Sequence, residues 1–405
     1  MSDISKNDVE KAQPELKDSD RPSVVPESFL VRTLMKFGIC KSAKRAIFIA
    51  VFSFWLLAFL PLVLLSVCEG TAWGDGVHMP LFGDAITLTR YLVVVPVLIL
   101  SEIVTKTWMG KVGEHFFSFL ESPRDDQKKL QDLIAKVLSF RSSILANLLV
   151  LALAVTLSMF GTNVVLVVDQ SSWQATVLDS GHSLTNPGYW NAIVSQPLFR
   201  FVVLGWLFDY IVWIYFLYRV SKFPLKVIAT HPDTVGGLSF VRVAQSQYCI
   251  AAFAFSCAVC GMAAQTVHYM NVSLQSFSNL GFLYLILSLI FFCSPLLLFT
   301  PVLAKSKLNG VFSYGELCSR LCHQFADRWL GERRDPEDLI VSSTDPSALA
   351  DMNGSYQAVL SMKPSLISRQ MIVVFTGATL LPALPLVASV MPIKELLKQI
   401  FQALT

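Results

Sequence analysis

The basic residues of this chain are sorted by side. Seven apolar stretches divide its 405 residues, each near the roughly 20 residues that a helix needs to cross a bilayer. Of the 32 Lys and Arg, 28 lie in the N-terminal region and in one alternating set of connections. Four are in the tail, five precede the first stretch, and seven, four and eight fall in 106–141, 219–246 and 304–369. The loops of the other set carry none. Basic loops stay on the cytoplasmic side. The pattern therefore predicts an all-α, polytopic transmembrane helical bundle of six to seven spans, with a cytoplasmic N-terminus and a small helical cytoplasmic layer.

Composition agrees. Hydrophobic residues make up 54% and charged residues 15%, against about 25% charged in soluble domains, and mean hydropathy is +0.56. A net charge of +3 without a basic groove argues against nucleic acid as a partner. Residues 1–30 are polar and read as a disordered cytoplasmic tail without a secretory signal. Residues 31–303 read as the bundle, with cytoplasmic helical connections at 106–141 and 219–246. Residues 304–370 read as a cytoplasmic helical segment, and 371–405 as a Pro-interrupted last span with an amphipathic end.

Two connections carry apolar stripes at helical spacing: Leu130, Leu133, Ile134, Val137 and Leu138, and then Tyr314, Leu317, Leu321, Phe325 and Trp329. The first is expected to run on into the third span, about Ile144 to Val168. Such stripes need something to cover them, either a cytoplasmic protein partner or a second copy in a homo-oligomer.

Four charged residues fall within or at the ends of spans. Asp209 is mid-way along the fourth, where a carboxylate must be paired, protonated or wetted. It reads equally as a proton or cation site and as a carboxylate satisfied by a neighbouring helix. Arg90 and Arg200 sit near the outer ends of the second and fourth spans. They either snorkel or converge on a mouth attractive to anions. Glu102 pairs with Lys106 at i+4. The fifth span repeats small residues, Ser256, Cys260 and Ala264, as close helix packing in lipid favours.

The loop His231-Pro-Asp-Thr-Val-Gly-Gly-Leu238 combines a capping acid, Asp233, with the flexible pair Gly236 and Gly237. It reads as a rigid turn aiming the fifth span, or as a set of N–H groups open to an anion. No metal-ligand spacing, nucleotide loop or nucleophile motif stands out, so no metal, cofactor or catalytic residue is expected.

The chain resembles an uncharacterised family of bacterial multi-pass inner-membrane proteins. The likeness rests on His231 to Leu238, on Ser343-Thr-Asp-Pro-Ser-Ala-Leu-Ala-Asp351, and on Leu380-Leu-Pro-Ala-Leu-Pro385 with Met391-Pro-Ile-Lys-Glu-Leu396. It implies a bacterial inner membrane and carries no catalytic residues with it. The function expected is a transporter or channel with Asp209 as its intramembrane carboxylate. The alternative is a membrane scaffold or sensor that binds a protein partner through its cytoplasmic layer.

Overall fold

Apolar helices dominate the computed structural model, which describes residues 35, 42–74, 76–120, 125–165, 171–178, 181–270, 272–330 and 345–390. The expected tail, the charged stretch 331–344 and the amphipathic end 391–405 lie outside these residues.

The elements run α1 Arg45–Cys68, α2 Ala85–Phe117, α3 Asp125–Ser142, α4 Ile144–Val165, β1 Ala175–Leu178, β2 Gly181–Leu184, α5 Asn186–Val220, α6 Ser239–Met270, α7 Leu274–Trp329, α8 Asp345–Ser361, α9 Arg369–Leu380 and α10 Ala383–Val390. Among the described residues, α1, α2, α5, α6 and α7 are long and apolar enough to cross a membrane. A sixth crossing forms if α3 and Ile144–Phe160 act together, across a 44° bend. β1 and β2 pair antiparallel in the long loop before α5.

Two expectations change. α3 does not run smoothly into the third span; the helix breaks at Ser143. The boundary near 303 is not a break, because α7 continues for 56 residues, roughly 84 Å. The seventh apolar run is not one continuous helix. Pro382 cannot donate a helical hydrogen bond, and α9 and α10, of 12 and 8 residues, flank the turn there.

The surface is apolar over long helical faces. Phe48 and Phe52 on α1, Ile144, Leu149 and Phe160 on α4, and Leu280 and Phe282 on α7 are all exposed. A soluble monomer does not expose contiguous apolar faces of this extent, and this chain is a helical membrane protein. The core sits between α2, α5, α6, α7 and α9, with Phe116, Tyr210, Trp213, Phe299 and Phe375 fully buried. A second cluster packs α1 against Tyr91 and Trp173.

Three helices carry a π-helical turn, at Trp55–Phe59, Thr89–Val94 and Asn191–Ser195. Such turns leave backbone carbonyls without their usual partner, and side chains from neighbouring helices fill them. Trp55 Nε1 donates to Tyr91 O at 3.0 Å, and Ser195 Oγ donates to Ala58 O at 2.6 Å. Tyr91 Oη donates to Asn191 Oδ1 at 2.7 Å. α1, α2 and α5 are thereby tied together at the end of the bundle away from the basic connections.

At the basic end, α7 extends past the bundle and pairs with α8. Trp329 is buried and donates Nε1 to Asp345 Oδ2 at 3.1 Å. A Cβ on Gly310 would stand 2.7 Å from Ala229 Cβ and 3.0 Å from Val359 Cγ1. Only a glycine lets the loop, α7 and α8 meet this closely.

Candidate functional site

A cavity of about 70 Å³ opens between α1, α2, α5, α6 and the break between α3 and α4. That volume holds several waters. Its wall is mostly apolar, from Leu98, Ile99, Val202 and Trp206, but four charged side chains reach it: Glu102, Lys106, Arg141 and Asp209.

Asp209 finds its partner in Arg141. Nε of Arg141 donates to Oδ1 and Nη2 donates to Oδ2 at 3.2 Å, a two-pronged pair. Arg141 Nη1 donates to Asn147 Oδ1 at 2.9 Å, and the guanidinium lies 5.3 Å from the Phe208 ring centroid. The Arg141 side chain is 2% exposed and that of Asp209 22%. Lys106 pairs with Glu102 one helical turn away on α2, and both are largely buried. Four charges thus meet as two matched pairs, and the cavity walls are close to neutral.

The break is built for this contact. Arg141 is in the last turn of α3, where a cation complements the helix dipole. Asn147 lies in the first turn of α4. Its Nδ2 donates to Ser143 O at 2.8 Å and to Arg141 O at 3.4 Å, which satisfies carbonyls that the break would otherwise orphan. Along α5, Arg200 and Arg219 are about 28 Å apart, and Asp209 is close to half-way between them. The ion pair and the break therefore lie side by side, about 14 Å along α5 from Arg200.

Behind the cavity the wall is stiff. Trp213 Nε1 donates to Gln245 Oε1 at 2.9 Å. Gln245 Nε2 donates to Phe292 O at 2.8 Å and to Tyr210 Oη at 3.1 Å. Tyr210 Oη donates in turn to Phe291 O at 2.9 Å. These buried bonds clamp α5, α6 and α7 together. Tyr248, which lines the cavity, packs edge-on against Tyr210 with ring centroids 4.7 Å apart.

Arg141 is the residue that the sequence reading passed over, counting it among loop cations. The signal was there. Arg141 follows Val137 by four and Ile134 by seven, which places it on the buried face of α3 with Leu130 and Leu133.

The other singled-out residues lie elsewhere. Arg90 and Arg200 flank Phe199 toward the far end of α2 and α5. The His231 loop lies at the basic end, and its geometry is that of a closed turn. Asp233 Oδ1 accepts the N–H of Val235 at 2.9 Å and of Gly237 at 3.0 Å, and Oδ2 accepts that of Ser239 at 3.1 Å. The loop's own carboxylate thus occupies the amides considered for an external anion. Burial alone would raise the Asp233 pKa, but these three amides and His231 outweigh it and hold the group below its ordinary value.

Gly236 and Gly237 have φ of 68° and 92°. A Cβ there would strike Val227 and Phe119 at 2.2 and 2.6 Å. In α6, Gly261 abuts Thr89, and Ser256 donates to Thr379 O, so the small-residue helix is packed on both sides. Among the described residues, no three His, Cys, Asp or Glu stand together as metal ligands.

Compared with known proteins, the chain matches no family model, no curated protein and no solved structure.

Proposed function

We propose that this is a multi-pass protein of a bacterial inner membrane, with its N-terminus and basic connections in the cytoplasm. We further propose that it moves a proton or small ion past the Arg141–Asp209 pair. The observation that carries this is a helix broken beside a charged cavity inside the bundle. Non-helical backbone and paired charges are costly in hydrocarbon, and they persist there where they line a cavity. Broken helices with their ends at the bilayer midplane are a recurrent way of building transport sites. The small volume limits the cargo of this conformation to waters, protons or a small ion. The orientation rests on the sorting of Lys and Arg, and the bacterial membrane on the resemblance through the His231 loop.

The test uses the full chain in liposomes carrying a trapped pH dye, with an imposed proton, sodium or potassium gradient. The expected result is a flux that Asp209→Asn reduces at least about tenfold, on the scale of one lost charge-assisted bond. Equal flux in wild type, Asp209→Asn and empty liposomes would overturn the reading.

The scaffold reading retains one specific observation, an open groove between α7 and α8 lined by Leu317, Leu321, Ala348 and Met352. Its stripes are otherwise covered within the chain. Leu130, Leu133, Ile134 and Val137 pack into the main core, and Trp329 packs beside α8. Pull-down from native membranes with and without Leu321→Asp tests it, and identical partner sets would sink it. A homo-oligomer is proposed on the same exposed faces, and the mass of the protein in native-like lipid decides it.

A further inference from the structure

Arg90 and Arg200 take no part in the cavity, yet they are two cations side by side at one end of an apolar bundle. The Arg90 guanidinium lies 5.4 Å from the centroid of the Phe199 ring, the residue next to Arg200. The two cations are within electrostatic reach of each other. Arg200 uses Nη1 on Ser158 Oγ at 2.9 Å and on Gln196 Oε1 at 2.8 Å. Among the described residues, its Nε and Nη2 meet no acceptor, and Arg90 makes no side-chain hydrogen bond or ion pair.

Among the described residues, one carboxylate is near. Asp84 is within electrostatic reach of Arg90. Its oxygens are already engaged, by Thr87 N at 2.9 Å, Thr87 Oγ1 at 2.6 Å, Trp173 Nε1 at 2.9 Å and Gln174 Nε2 at 3.4 Å. It balances at most one of the two positive charges. A surplus cation among apolar helices is costly unless an anion joins it. Both arginines are partly exposed, so an anion can reach them. They are also separated from Lys111 and Arg219, on the same two helices, by about one bilayer thickness. That puts them at the level of phosphate headgroups. The π-turn contacts of Tyr91 and Ser195 hold α1, α2 and α5 in register beside them.

We infer that Arg90 and Arg200 form a clamp for one phosphate-bearing anion, either a lipid headgroup or free phosphate, at the end of the bundle opposite the basic connections. Two guanidinium forks suit a phosphate's several acceptor oxygens. The clamp does not depend on the transport reading and fails separately from it.

The test is the thermal unfolding midpoint of the full chain in phosphatidylcholine nanodiscs, titrated with phosphatidylglycerol in one arm and with inorganic phosphate in the other. Wild type is expected to rise in one arm, and the double variant Arg90→Gln/Arg200→Gln to need at least about tenfold more of that ligand. A rise with phosphatidylglycerol alone identifies a lipid site, and a rise with inorganic phosphate identifies a free-anion site. A Lys111→Gln/Arg219→Gln control, at the other end of the same helices, should respond as wild type does. If the double variant does not fold, Arg200→Gln alone serves, since it leaves the Arg90–Phe199 stack in place. Wild type indifferent to both ligands, or variant and wild type responding alike, would overturn the inference.

Discussion

Two levels of α5 handle charge in opposite ways. At the cavity, Asp209 is met by Arg141, and Glu102 by Lys106, so every charge on its wall has its opposite within the chain. Toward the far end, Arg90 stacks on Phe199 and Arg200 bonds Ser158 and Gln196, and among the described residues neither has an ion-paired carboxylate. The first arrangement closes the account internally, and the second leaves it open to something from outside. An internally neutral site can open and close with little change in stored charge, whereas an unmatched pair holds a ligand in place.

The largest effect is expected where matching is broken. Asp209→Ala leaves Arg141 buried without its anion and should cost about 3–5 kcal/mol. Arg141→Leu/Asp209→Leu should recover most of that loss, because two apolar groups replace two charges. Unfolding midpoints of Arg141→Leu, Asp209→Leu and the double, combined as a cycle, measure it. Additive singles would mean that the pair is not coupled.

A second carboxylate sharpens the comparison, because Asp233 is satisfied by backbone amides rather than by an arginine. Gly236→Ala, which forces a Cβ into Val227 at a positive φ, should destabilise that turn by about 1–3 kcal/mol. Asp233→Asn should cost about 1–2 kcal/mol at neutral pH. Its sign with pH follows from the lowered pKa. The stabilisation is complete above the ordinary carboxylate pKa of about 3.9 and is lost as pH falls through the folded value. The gap between wild type and Asp233→Asn should therefore close in acid. A gap that widens in acid would refute the assignment.

The smallest effect should be at the unmatched end. In neutral lipid, Arg200→Gln removes repulsion with Arg90 along with two hydrogen bonds, and should change stability by less than about 1 kcal/mol. A loss as large as that of Asp209→Ala would erase the contrast between the two levels.

Much of this was legible in the sequence. Apolar runs and charge sorting are local signals, and they placed the helices of α1, α2, α5 and α6. Asp209 stood out because a carboxylate in an apolar span must be resolved somehow. Its partner was harder, since Arg141 comes from a different helix 68 residues away, and pairing across helices is a tertiary fact. The break at Ser143 was invisible for a related reason. No proline marks it, and the side chain that seals it, Asn147, looks like any polar residue in an apolar run. At α9 and α10 the interruption was legible as well, since Pro382 stands between the two short helices. The hydrogen bonds that link the π-turns of α1, α2 and α5 depend on three helices at once, and no single segment announces them.

The central claim is that Asp209 faces a wet cavity inside the bundle. Gly205 lines the same cavity, and a Cβ there meets nothing within 4 Å. A single Gly205→Cys, in a background with the native cysteines replaced, can be exposed to silver ion in sealed vesicles and then denatured and alkylated. Leu149→Cys on the lipid face of α4 is the control. The account predicts that silver blocks later alkylation at position 205 and leaves position 149 free. Position 205 as unreactive as position 149, in protein that still folds, would contradict it.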